Sequence, residues 1–143
     1  MKAGWVTKRL GDVAKTQYGL SVPMNDEGNG FKIFRMGEVQ NGCLVDSGKM
    51  RFAEISAAEF QQYRLRPGDV LFNRTNSFEL VGKTGIFALE GDYCFASYLV
   101  RLNLNRRLVL PEFLNYFMNS DRFQKTVKGK ASRSINQIGR AHV

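Results

Sequence analysis

The sequence predicts a single α+β domain, and three observations predict it. Short apolar runs separated by turn formers recur through the first hundred positions, as strands do. A capping box at Ser56–Glu59 and a proline-led apolar stripe from Pro111 add helices. A length of 143 residues with 43% apolar content and eleven Phe suits one hydrophobic core.

Taken in order, "WVTKRLGDVAKTQYG" reads as a short element with Trp5, Leu10 and Val13 inward, a brief helix from Gly11 or Asp12, and Gly19 as its end. "SVPMNDEGNG", residues 21–30, is dense in turn formers and predicts a loop. "FKIFRM" predicts a strand, "VQNG" a turn and "KMRFA" a second strand. In "SAAE" the Ser56 hydroxyl and Glu59 carboxylate can satisfy free amides of a first helical turn, so "AAEFQQYR" predicts a helix ending before Pro67. "RPGD" is a turn and "DVLFN" an extended run into the core. "GIFALE" and "CFASYLVRLNL" are two further strand candidates around "EGDY". "LPEFLNYFMNSDRFQKTV" predicts one helix with Pro111 in its first turn and Phe113, Leu114, Phe117, Met118 and Phe123 as its core face. "KGKASRSINQ" is polar, basic and glycine-punctuated, and predicts a loop.

The charge is uneven. Residues 1–100 hold 12 Lys/Arg against 11 Asp/Glu, whereas residues 101–143 hold 9 against 2, so nearly all of the net +8 lies in the last third. Such a region is an electrostatic footprint for a polyanion, nucleic acid foremost. No run reaches the roughly 18 apolar residues of a membrane span, and the N-terminus lacks the pattern of a secretory signal, so a cytoplasmic location is expected. Cys43 and Cys94 stand without a CxxC pair and are expected as reduced, partly buried thiols.

His142 is the sole histidine, which leaves Ser-His-Asp chemistry and multi-histidine metal sites without their parts. "GKT" at Gly82–Thr84 misses the P-loop pattern because position 77 is Ser where the first glycine belongs. A Mg²⁺-dependent nuclease could be imagined on Asp69, Glu79 and Lys83, but Asp69 in its "PGD" turn can bond nearby amides, and Glu79 and Lys83 fit an ordinary ion pair. No catalytic residue, metal or cofactor is indicated. A binding surface remains: in "NRTNSFELVGKTG" Arg74 and Lys83 can address phosphates or guanine, Asn73 and Asn76 adenine edges, and Ser77 either. Competing roles are an Arg74–Glu79 brace, turn capping by Asn76 and Ser77, and simple solvation of Lys128, Lys130 and Arg133.

The order of motifs, "W-x-x-x-x-LGDVA", "FRMGEVQNG", "LRPGDVLFNRTNSFELVGKTGIF", then "PEFLNYFMNSDRFQ" and "KASRSINQ", resembles the target recognition domain of type I restriction-modification specificity subunits across residues 5–137. The resemblance implies an α+β domain with a twisted, mainly antiparallel sheet and a few packed helices. It implies a non-catalytic module that binds double-stranded DNA, reads half of a two-part target, and serves adenine methyltransferase and restriction subunits. On that reading Arg74, Lys83, Lys125, Lys128, Lys130 and Arg133 meet phosphates. The alternatives are the nuclease and a protein-interaction fragment without a DNA role. "IGRAHV", residues 138–143, is what a common sequencing-adapter string encodes, and is expected to be a non-native tail on a truncated domain of residues 1–137.

Overall fold

The structure, a computed structural model, describes residues 9–75 and 77–134, with side chains through residue 130. A single turn of helix, α1 (Leu10–Val13), leads into β1 (Ala14–Tyr18), followed by the short β2 (Met24–Asn25) and β3 (Phe31–Phe34). A 3-10 turn at Met36–Glu38 leads to β4 (Val39–Gln40) and β5 (Cys43–Leu44). Asn41 and Gly42 between these two have φ of 52° and 78°, the left-handed pair that a two-residue hairpin turn needs. Then come β6 (Arg51–Ala53), α2 (Ala57–Tyr63), β7 (Val70–Asn73), β8 (Thr84–Ile86), β9 (Tyr93–Phe95), β10 (Leu99–Leu104), α3 (Pro111–Met118) and α4 (Asp121–Ser134).

The strands form two sheets, β1-β10-β7-β8-β5-β4 and β2-β6-β3-β9. Pairing is mainly antiparallel, with β3–β9 and β5–β8 parallel. Between the sheets lies one core, in which Phe34, Tyr93 and Phe95 of the small sheet meet Val39, Leu44, Leu71 and Leu99 of the large one. Phe34 stacks on Tyr93 at 5.2 Å and meets Phe87 edge-on at 6.2 Å. The outer face of the small sheet packs on α2, where Phe31 stacks on Phe60 at 3.9 Å. The outer face of the large sheet places Val70 and Leu102 against Leu114 and Met118 of α3. The layers therefore run helix, sheet, sheet, helix.

The α+β class, the strands at "FKIFRM", "KMRFA" and "DVLFN", and the "VQNG" and "RPGD" turns stand as expected. Half of the capping box forms: the Ser56 hydroxyl accepts the Glu59 amide at 3.1 Å. Several expectations are corrected. β1 was not foreseen because it is an edge strand whose Lys15, Thr16 and Gln17 break the apolar alternation. "CFASYLVRLNL" is two strands, not one: β9 pairs with β3, the chain turns at Ala96–Tyr98, and β10 enters the other sheet. Its apolar character runs through the break because both strands are buried.

The C-terminal helix is likewise two. Ser120 accepts the Phe123 amide on its hydroxyl at 3.3 Å and starts α4, with Asp121 in its first turn, a cap concealed in "MNSDRF". α4 continues to Ser134, so residues 128–134 are helix where a loop was expected; Gly129 stands in open space and does not interrupt it. Of the predicted stripe only Leu114 and Met118 are buried and Phe123 partly so, while Phe113 and Phe117 are exposed beside Tyr116, and Leu10 is exposed as well. Cys94 is buried, its thiol pushed up to about 12 by that burial, but Cys43 is exposed rather than partly buried. Trp5, Asn76 and the 138–143 tail lie outside the described residues.

One polar knot joins the sheets' margin. The Asp46 carboxylate accepts Lys32 Nζ at 2.9 Å, the Tyr93 hydroxyl at 2.7 Å and the Gly48 amide at 2.9 Å. Lys32, then Tyr93 and the Gly48 amide, hold Asp46 down at about 2, from 3.8. A depressed carboxylate contributes stability that is present above its unfolded value and disappears as pH falls through the folded one. Between about pH 4 and 2 the chain is expected to lose roughly 2 kcal/mol that Asp46→Asn lacks throughout, measurable by urea unfolding at each pH. A pH-independent difference between the two proteins would contradict it.

Candidate nucleic-acid interface

The register of the large sheet brings the predicted residues to one end. Tyr18 pairs with Val100, Val100 with Phe72, and Phe72 with Thr84, a row across four strands. Arg74 and Lys83 stand just past that row, on the loop between β7 and β8. The loop is self-closed: Asn73 N donates to the Lys83 carbonyl at 2.8 Å, Gly82 N to Asn73 at 2.9 Å, and Val81 N to Ser77 at 2.8 Å. Ser77 N donates to Thr75 Oγ1 at 3.3 Å. Gly82, at φ 87°, turns the chain back where a Cβ would come within 2.9 Å of Val127. The Asn73 side chain is fully buried at the base, its amide atoms without a partner among the described residues.

α4 clamps this loop from the side. Gln124 Nε2 donates to the Gly82 carbonyl at 2.8 Å and also to Met118 at 2.7 Å. Lys128 Nζ donates to the Phe78 and Glu79 carbonyls at 3.0 and 3.1 Å and lies 5.4 Å from the Phe78 ring. Lys128 thus spends its donors on the loop, a role that neither the phosphate reading nor simple solvation describes. Lys125 and Lys130 lie exposed on the helix. Arg133 belongs to α4, its side chain outside the described residues, as is Asn76 altogether.

Arg74 is exposed, and its backbone N–H donates to Tyr98 at 2.8 Å. Its guanidinium lies 4.7 Å from the Tyr18 ring centroid; no ion pair with Glu79 forms among the described residues. Lys83 lines a cleft of about 370 Å³ between the Asn41–Gly42 turn and Asn119 and Gln124. The exposed aromatics Tyr18, Tyr98 and Phe78 escaped sequence reasoning. A signal existed for Tyr18, an aromatic on the solvent side of a polar edge strand.

The nuclease constellation does not assemble. Asp69 and Lys83 flank opposite ends of β7, roughly 13 Å apart at the rise of a strand. Asp69 accepts the Arg66 amide at 2.8 Å, as its turn suggested, and pairs with Arg101 at 3.1 Å and Arg106 at 3.7 Å. The Arg101 and Arg106 guanidinium groups thus gather at Asp69, at the end of β7 opposite the loop. Among the described residues no group of three or more His, Cys, Asp or Glu could hold a metal ion, and no helix is long and apolar enough to cross a membrane.

No protein-family model matches the chain. The type I restriction enzyme EcoKI specificity subunit of Escherichia coli is 35% identical over 124 residues, covering 85% of this chain. Over most of its length the chain is therefore similar to a type I restriction specificity subunit. It spans 26% of the length of that relative. The fold agrees: the HsdS subunit from Thermoanaerobacter tengcongensis matches all of the chain with a TM-score of 0.61 at 20% identity, over 41% of its own length. A chain from a type I restriction-modification system structure matches 99% with a TM-score of 0.62 at 21% identity, over 39% of its length.

Proposed function

We propose that this domain binds double-stranded DNA, reads one half of a two-part target, and catalyses nothing itself. The observation that carries the reading is the match of 85% of the chain to a specificity subunit. The sheet end supports it, because it offers exposed Arg74 and partly exposed Lys83 beside exposed Tyr18, Tyr98 and Phe78, next to a basic helix. Arg74, Lys83, Lys125, Lys130 and Arg133 are assigned to phosphates or base edges, Asn76 and Ser77 to base edges, and Lys128 to bracing the loop. The functional domain is taken as residues 1–137, with 138–143 a non-native tail. Methyltransferase and restriction subunits are the protein partners, and the exposed Phe113, Tyr116 and Phe117 of α3 suit a protein contact.

Duplex affinity should fall steeply with salt. For about four phosphate contacts, raising salt from about 50 to 200 mM lowers the association constant roughly 100-fold. A titration of labelled duplex by fluorescence anisotropy measures the slope. Absence of binding, or binding indifferent to salt, would favour a protein-interaction role, and Mg²⁺-dependent cutting of the duplex would favour the nuclease.

A further inference from the structure

Five cations stand over aromatic rings among the described residues, and their oxygen partners set one apart. Lys32 has the Asp46 carboxylate, Arg64 has Asp92, Arg101 has Asp69, and Lys128 has the loop carbonyls. In those four the ring adds to an electrostatic site that is already complete. Arg74 differs: its guanidinium lies over Tyr18 at 4.7 Å and makes no hydrogen bond or ion pair with the described residues. A guanidinium carries five N–H donors in a planar fork, and a ring face satisfies none of them.

Both members are held from behind. Arg74 is fixed by its backbone bond to Tyr98, and Tyr18 by its place in β1 opposite Val100. Tyr18 is 58% exposed, so it makes little contribution to the core. What the ring does supply is a direction. It restricts a long side chain with considerable rotamer freedom to the Tyr18 side of the sheet end, while Arg74 stays exposed to solvent. That fork matches two phosphate oxygens or the O6 and N7 of guanine.

We infer that Tyr18 is a positioning residue for Arg74, holding its guanidinium ready for a bidentate contact with duplex DNA. The inference rests on the DNA-binding reading above and adds the residue that orients its exposed arginine. It is tested with the 143-residue chain, by anisotropy titration of short duplexes of randomised sequence at several salt concentrations. Arg74→Ala should bind about tenfold more weakly and lose about one from the salt slope. Tyr18→Ala should reproduce several-fold of that loss, Tyr18→Phe should bind as the unaltered chain does, and Tyr18→Ala should add nothing in an Arg74→Ala background. Arg74→Lys separates fork from charge: a loss near that of alanine supports the bidentate contact, and retained affinity overturns it in favour of a simple point-charge contact with a phosphate.

Melting temperatures of all variants should match the unaltered chain, because both side chains are exposed. Tyr18→Ala binding at full strength overturns the inference. So does an equal loss with and without Arg74, which would make the ring an independent contact. If the unaltered chain binds no duplex, the DNA-binding reading itself falls and the inference falls with it; failure of Tyr18 alone leaves that reading standing.

Discussion

Replacing Arg101 with methionine is expected to destabilise the fold by about 3–5 kcal/mol, seen as a lower urea midpoint. Arg101 is 8% exposed and sits at the centre of a hydrogen-bond network that joins three segments. Its Nη1 donates to the Arg64 carbonyl at 2.6 Å and to Asp69 at 3.1 Å. Its Nη2 donates to Gln17 Oε1 at 2.6 Å and to the Gln62 carbonyl at 3.0 Å, and Nε shares the Gln17 oxygen at 3.0 Å. One side chain therefore ties β1, the carbonyls at the end of α2 and the turn before β7. Methionine keeps much of the volume but leaves Asp69 and two carbonyls with fewer donors in a poorly hydrated place, which is the costly way to break such a pair. A loss below about 1 kcal/mol would show that water replaces the guanidinium at little cost. Arg101 lies away from the β7–β8 loop, so the remaining folded fraction should bind duplex normally.

Gly19→Ala is expected to be nearly as damaging, about 3 kcal/mol, for a purely steric reason. A Cβ at Gly19 would sit 2.2 Å from the Ala96 carbonyl oxygen and 2.6 Å from that of Phe95, both backbone atoms. The surroundings cannot yield, because Gly19 N donates to Leu99 at 3.1 Å and Leu20 N to Phe95 at 2.8 Å, just where the two sheets touch. Thermal unfolding checks this, with Gly37→Ala as the control: nothing lies within 4 Å of its Cβ position, and its melting temperature should hold or rise slightly. Equal behaviour of the two variants would mean that the sheets can slide apart at this seam.

Much of the local structure was legible because its causes are local. The Asn41–Gly42 turn, the Ser56 cap and Pro111 at the head of α3 each act within a few residues, so their types and spacing suffice. The relationship to specificity subunits was legible in the same way, from the "GDVLFNRTNS-x-ELVGKTG" pattern, which the matched relative supports. The candidate site was half legible: Arg74, Ser77 and Lys83 are adjacent in sequence and stayed adjacent in space, whereas Tyr18 reaches Arg74 from 56 positions away, through the pairing of β1 with β10 and β10 with β7.

By itself the sequence determined the class of fold, most of its turns and caps, and a basic C-terminal third. The tertiary structure alone decided that one apolar run serves two sheets, that Arg101 is a buried tie and Lys128 a clamp, and that Phe113 and Phe117 face solvent. The physical reason is common to all of them. Whether a charge is spent or a ring is covered depends on which distant segment packs beside it, and strand order brings those segments together over separations that no local pattern encodes.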